Sequence, residues 1–397
     1  MRVLFINSVN GVGSTGKIVE QLAKYIINCG HEACIAYGRG VGKDQSIPTY
    51  FIGNKLNNFF HGLNSCMTDG HGFASKKATR ELIDFIKKYK PDVVNLHNLH
   101  GYYVNIELLL NFLKNAQIPV VCTMHDMWLI SGHSAYIEVD EKGNLPHRNT
   151  NFLERFEYPS SIFDHSKRNY QKKLALFSNF PNLYIVTPSN WLENIVRKSF
   201  LADKKIKTIY NGIDLSMFNE TLSEHKENKK TKILAVANIW EARKGLDDIL
   251  LFEKELSSDD YEFSIVGKTN KKIPQRINYF GQITNGIELA KIYSDSDIFI
   301  NTSYSDNFPT TIIESQACGT PVITYETGGS SESLIPGTGL SVKTGDKEQF
   351  IATIKKFRIN SNTSELCRKN SVNYGSDVMG ENYLELFKLC LSAITNF

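Results

Sequence analysis

Short apolar runs recur along the chain, separated by segments with helical periodicity. In the first half the runs are VLFIN, CIAYG, DVVNLH, PVVCTMH, LYIVTPS and IKTIYNG. In the second half they are KILAVAN, FSIVG, INYFG, DIFINTS, PVITYE and LSVK. They are rich in Val and Ile and scarcely alternate with polar residues, which predicts strands buried on both faces. Between them, segments such as ATRELIDFIKKYK and EQFIATIKKFR place apolar residues three and four apart, as helices do. Strand–helix alternation of this kind predicts an α/β protein with doubly wound parallel sheets. The pattern restarts once. After IYNGIDLSMFN comes ETLSEHKENKKTK, which is charged and aperiodic and reads as a linker. The expected division is a first domain over residues 1–215, a second over 216–375, and a terminal helix over 376–397 that packs back on the first. Residues 137–168 read as a long insertion, from their Pro, Asn and charge content.

Composition narrows the class. The chain has 397 residues, 41% hydrophobic and 22% charged, which suits a globular protein of two or three domains. A net charge of +3 is too mild to predict nucleic-acid binding, and is compatible with loose attachment to an anionic membrane surface. The seven cysteines include no C-x-x-C pair, so reduced thiols are expected. The N-terminal apolar run is five residues long and no run approaches 18, so neither a cleavable signal nor a bilayer span is predicted. The expected location is cytoplasmic, with at most peripheral contact with the inner membrane.

Two stretches carry candidate chemistry. GVGSTGKI, Gly11 to Ile18, lies between the first strand and the first helix, where free amides and the helix dipole favour an anion. A P-loop needs Ser or Thr where Ile18 stands, so an ATPase is disfavoured. The second strand runs into Gly38-Arg39-Gly40, which keeps an NADP enzyme open. A plain packing turn is the bland alternative. The other stretch is YSDNFPTTIIESQACGTPVITYETGG. Pro309 and Thr310 predict a helix start, Gly319 its end. Asp306 then lies in the loop before the helix, the amides of Asn307 to Thr311 face an anion, and Glu314 sits just over one turn inside. Glu314 is placed to accept hydrogen bonds from two vicinal hydroxyls, as on a ribose. Elsewhere, Asp295-Ser296-Asp297 forms a D-x-D at a helix-to-strand handover, where turn and capping roles are expected. His97, His100, His125 and His133 show no zinc-site spacing. His125 and Asp126 end one strand, and His97 and Asn98 the strand before it. Trp128 and Trp240 suit either ligand stacking or core packing.

These motifs resemble family 4 glycosyltransferases, the retaining enzymes of GT-B fold. The mark is a pair of acidic residues eight apart, here Asp306 and Glu314, with Asp where Glu is commoner. IYNGID, PSNWL, WEARKG, LHNLHGYY, TMHDMWLISGH and STGK extend the resemblance from about residue 11 to 332. It implies two Rossmann-like domains facing across a cleft, the first on the acceptor side and the second holding the nucleotide-sugar. It implies that Glu314 holds the donor ribose, that Asp306 contacts the donor sugar, and that Arg243 and Lys244 neutralise the diphosphate. His125 is expected to face the donor sugar. On this reading His125, Lys244 and Asp306 are catalytic. Gly13, Ser14, Thr15, Gly16, His97, Asn98, Asp126, Arg243, Asn307, Phe308, Pro309, Thr310 and Glu314 line the substrates. The expected reaction moves a hexose-type sugar from a UDP- or GDP-linked donor to a glycan or polyprenyl-diphosphate-linked acceptor in surface polysaccharide synthesis. Neither metal nor cofactor is expected, the nucleotide-sugar being a co-substrate. Two departures stand out: Asn238 occupies a position where an Arg is common, and Ser134 one where relatives often carry Cys, so no metal cluster is expected in the insertion. A nucleotide-sugar epimerase of the same fold is the main alternative, and an NADP-dependent enzyme the lesser one.

Overall fold

The computed structural model describes the chain except for residues 41, 43, 138–157, 220–229, 361 and 396–397. Most of the expected insertion and of the expected linker therefore lies outside the described residues. The chain forms two compact units: Met1–Tyr210 with Met379–Phe397, and Asn211–Val378.

The first unit is built on β1 (Arg2–Asn10), β2 (Glu32–Gly40), β3 (Thr49–Phe51), β4 (Val93–Leu96), β5 (Val120–Thr123), β6 (Leu183–Thr187) and β7 (Lys205–Thr208). Their order in the sheet is β3-β2-β1-β4-β5-β6-β7, and every neighbouring pair is parallel. The short edge strand β3 was not among the expected runs, because Thr49–Phe51 is too brief to show a period. Both faces are covered, which is why the strands read as unbroken apolar runs. Along β1, Leu4 and Ile6 enter one core cluster while Val3 and Phe5 enter another. The second cluster also takes Met379, Tyr383, Phe387 and Cys390 of the terminal helix Ser376–Thr395. Gly380 permits that close docking, since a Cβ there would lie 2.3 Å from the Tyr25 ring.

The second unit repeats the plan with β8 (Thr231–Ile239), β9 (Tyr261–Lys268), β10 (Asn278–Gly281), β11 (Ile298–Asn301), β12 (Val322–Tyr325) and β13 (Gly339–Val342). The order is β10-β9-β8-β11-β12-β13, again all parallel. The α/β, doubly wound reading of the sequence thus holds in both halves. In each sheet the winding direction reverses beside the first strand, between β1 and β4 and between β8 and β11. Crevices form at the carboxyl ends of strands at such reversals, and the candidate residues follow these strands.

Candidate functional site

In the second unit, β8 leads into a single turn of 3-10 helix, Ala242–Lys244, and then into the helix Leu246–Glu255. Gly245 joins them with φ 69°, and a Cβ there would lie 2.1 Å from the Thr302 carbonyl oxygen. The close approach lets the Thr302 hydroxyl donate to the carbonyls of Lys244 and Gly245 at 3.0 and 3.1 Å. The Tyr304 amide donates to the Arg243 carbonyl at 2.7 Å. The basic turn is therefore clamped to the loop that follows β11. Its side chains reach that loop too: Lys244 Nζ lies 2.5 Å from Asp306 Oδ2, and Arg243 Nη1 donates to the Ser305 carbonyl at 3.1 Å. Burial alone would raise the Asp306 pKa, but the Lys244 and Arg243 charges outweigh it and hold the carboxyl below the usual range.

Asn307 donates its amide to Asp306 Oδ1 at 3.1 Å, and Asn211 Nδ2 donates to the Phe308 carbonyl at 3.2 Å. Gly328 packs against the same loop, where a Cβ would collide with the Asp306 carbonyl. Pro309 caps the helix Thr310–Ala317 without a side-chain bond, so the first-turn amides receive no cap from it. Glu314 is half-buried one turn in, with Oε2 accepting from the Tyr293 hydroxyl at 3.3 Å. Arg243, Lys244, Asp306, Asn307, Phe308, Pro309, Thr310 and Glu314 thus belong to one continuous scaffold. Asn238, next to the end of β8, is exposed and accepts from Gln282 Nε2 at 3.0 Å. In the D-x-D stretch, Asp297 accepts from the Lys232 amide at 2.8 Å while Asp295 caps a helix end.

In the first unit the opening loop behaves as a helix start. The helix spans Gly13–Asn28, so Gly13, Ser14 and Thr15 form its first turn. Gly16 is the packing residue: a Cβ would meet the Gly11 nitrogen at 3.1 Å and Val9 at 3.3 Å. Asn98 Nδ2 reaches Thr15 Oγ1 at 3.4 Å, so the first turn of this helix meets the loop after β4.

His97 and His125 also meet. Their rings stack with centroids 5.2 Å apart, and His97 Nδ1 lies 2.9 Å from His125 Nε2. Asn95, inside β4, assigns the protons. Its Nδ2 donates to the Val121 carbonyl at 3.0 Å and to Thr123 Oγ1 at 3.1 Å, leaving Oδ1 as the acceptor facing His97 Nε2 at 3.0 Å. His97 therefore carries its proton on Nε2, and Nδ1 accepts from His125. The Thr123 hydroxyl in turn contacts Tyr383 Oη of the terminal helix at 2.9 Å. Burial, with His125 adding to it, pushes the His97 pKa well down. Burial likewise pushes His125 down to about 4, against the opposing pull of Asp126. Both are neutral imidazoles at neutral pH. Asp126 is engaged internally: Oδ2 lies 2.8 Å from His100 Nε2, and Oδ1 accepts from the Trp128 amide at 2.9 Å. Trp128 is a core residue, 2% exposed, and Trp240 donates its ring N–H to the Val266 carbonyl. The sequence reading missed Asn95 and Tyr383; the signal for Asn95 was a polar residue inside the apolar run VVNL.

Two doubly wound parallel units are the architecture of the GT-B glycosyltransferases. Residues 15–217 match the family model described as Glycosyltransferase Family 4, and residues 217–373 match Glycosyl transferases group 1. The chain belongs to glycosyltransferase family 4. It is 22% identical over 312 residues to the putative colanic acid biosynthesis glycosyl transferase WcaC of Escherichia coli, covering 75% of this chain and 76% of that one. It is 23% identical over 116 residues, 28% of this chain and 30% of the other, to a Campylobacter jejuni N,N'-diacetylbacillosaminyl-diphospho-undecaprenol alpha-1,3-N-acetylgalactosaminyltransferase. Among solved structures, Anabaena HepE in complex with UDP aligns with TM-score 0.66 at 13% identity, over 98% of this chain and all of that one.

Proposed function

We propose that the protein transfers a hexose-type sugar from a UDP-linked donor to a glycan carried on polyprenyl diphosphate, with retention at the anomeric carbon. The observation that carries this reading is the clamped Arg243–Lys244 turn, which sets two cations beside Asp306 at the start of the helix bearing Glu314. In the proposed reaction the bond from the anomeric carbon to the diphosphate oxygen breaks while the acceptor oxygen bonds the same face. The acceptor proton passes to the leaving phosphate. Arg243, Lys244 and the first-turn amides stabilise the charge that develops there, a task that needs no metal. Glu314 holds the ribose, and Asp306 contacts the donor sugar. UDP is favoured by the HepE complex, and a lipid-linked acceptor by the name of the Campylobacter relative.

A peripheral membrane contact fits this acceptor. No helix among the described residues is long and apolar enough to cross a bilayer. The helix Lys55–Thr68, however, exposes Leu56, Phe59, Phe60, Leu63 and Met67 along one face. Exposed Ile162 adjoins this helix, its amide bonding the Cys66 carbonyl at 2.7 Å. Contiguous exposed apolar surface of this kind marks an interaction site. The experiment is a donor screen against a polyprenyl-diphosphate glycan acceptor, with NMR of the product linkage. An inverted linkage, or transfer only from GDP donors, sinks the corresponding part of the proposal. Vesicle co-sedimentation of Phe59→Ser/Phe60→Ser against the parent tests the membrane contact; equal sedimentation removes it.

A further inference from the structure

One cluster of buried polar side chains in the first unit takes no part in the chemistry above. Asp69 ends the helix Lys55–Thr68 in the left-handed conformation, φ 52°, with its carboxylate fully buried. His71 follows two residues later, and His133 lies in the turn after Trp128–Ile130. His133 Nδ1 is 2.6 Å from Asp69 Oδ1, and His71 Nε2 is 3.6 Å from the same oxygen. The two imidazoles meet edge to face, centroids 5.3 Å apart. One donor atom from each residue fits within a 4.8 Å span, and all three residues are buried.

The hydrogen bonding of this cluster does not close. Neither ring nitrogen of His71 has a partner, nor does Nε2 of His133, although all three are shut off from solvent. Buried polar atoms in proteins are almost always satisfied, so an unpartnered His71 Nε2 turned toward the buried Asp69 Oδ1 points to a ligand between them. The carboxylate is held from behind: Asp69 Oδ2 accepts from the His165 amide at 2.9 Å, and the Asp69 carbonyl from Asn169 Nδ2 at 2.6 Å. Oδ1 is thereby aimed at the imidazoles. Lys173, buried nearby with its pKa pushed well down by burial, does not hydrogen-bond Asp69. Its amine donates to the Trp128 and Ser131 carbonyls at 2.6 and 3.2 Å and lies over the Trp128 ring.

We propose that Asp69, His71 and His133 bind one divalent transition-metal ion, zinc by its donor set. Two imidazoles and one carboxylate suit zinc, whereas magnesium and calcium take oxygen ligands. The 3.6 Å separation of His71 Nε2 from Asp69 Oδ1 is close to the edge of a tetrahedron with bonds of about 2.0–2.1 Å. The shorter Asp69–His133 contact opens as the ion replaces the shared proton. The His133 proton then moves to Nε2, which is unpartnered. Water completes the coordination. The ion staples the end of one helix to a turn 64 residues later in the chain. That turn follows Trp128, whose amide is bound by Asp126. The ion would hold that turn against the helix end.

The test is metal analysis of the full chain, freed of any histidine tag. About one zinc per chain is expected, lost to a strong chelator with a fall in melting temperature and regained on adding Zn²⁺. Co²⁺ added to the stripped protein should give the visible absorption of a tetrahedral nitrogen–oxygen site. His71→Gln and Asp69→Asn should each bind at least roughly tenfold more weakly, as changes at metal sites do. Cys66→Ser, which alters an exposed thiol of the adjacent helix, should bind like the parent. The proposal falls if the parent carries no zinc and takes up neither ion after stripping, or if His71→Gln binds like the parent. Should a variant fail to fold, titration of the parent alone decides. Metal content and melting temperature are read without turnover, so failure of the proposed transfer reaction leaves this outcome separate.

Discussion

The Lys244 ammonium lies 2.5 Å from the Asp306 carboxylate, 62 residues along the chain. The contact holds the ammonium in place, where the proposed reaction needs a cation. Lys244→Met should therefore slow transfer by roughly 10²–10³, about 2.7–4 kcal/mol at the barrier, if it acts as other preorganised donors do. Steady-state rates with saturating donor check this; a loss confined to KM would show that Lys244 only binds.

The same contact allows the proposed roles of the two acids to be tested apart. Asp306→Asn releases Lys244 from its carboxylate, so affinity for free UDP should be unchanged or tighter while turnover falls. Glu314→Gln should weaken UDP binding itself by roughly 1.5–3 kcal/mol, the scale of hydrogen bonds to a charged group. Calorimetry with UDP on both variants decides. Weaker UDP binding by Asp306→Asn, with parent-like binding by Glu314→Gln, would reverse the assignment.

The Asn95 amide fixes the tautomer of His97, and through it the proton position on His125. Asn95→Leu leaves the buried His97 N–H without an acceptor, which should cost about 1–3 kcal/mol of stability. Its ¹⁵N imidazole spectrum should show the tautomer preference relaxed, and turnover should fall together with it. Tyr383→Phe loses only the outermost bond of the chain and should cost about 1 kcal/mol. A parent-like imidazole spectrum in Asn95→Leu would remove Asn95 from this role.

Buried histidines predict acid sensitivity. Burial pushes His71 and His97 down and lowers His61 and His125 each from 6.5 to about 4. Between those values the unfolded chain binds more protons than the folded one, so stability falls as pH falls. Each histidine should lose about 2 kcal/mol between pH 6.5 and 5. Urea unfolding across this range measures the slope, and His61→Gln should shallow it. Because His125 is already neutral above about 4, turnover should show no acid limb near pH 6.5 from this residue.

The sequence by itself determined the parts set by local pattern. Unbroken Val/Ile runs announced strands covered on both faces, because only such strands dispense with alternation. The eight-residue step from Asp306 to Glu314 was legible because one loop and one helical turn connect them. WEARKG showed a basic turn, but not that Gly245 presses it against Thr302, since that packing joins strands distant in the chain. Tertiary structure alone brought Asn95 under His97, Tyr383 under Thr123, and Asp69 and His71 beside His133. Those groups come from separate strand ends, helices and turns, and no spacing along the chain encodes their meeting. Parallel sheets impose this division: each crossover returns the chain to the same edge of the sheet, so residues far apart in sequence converge there.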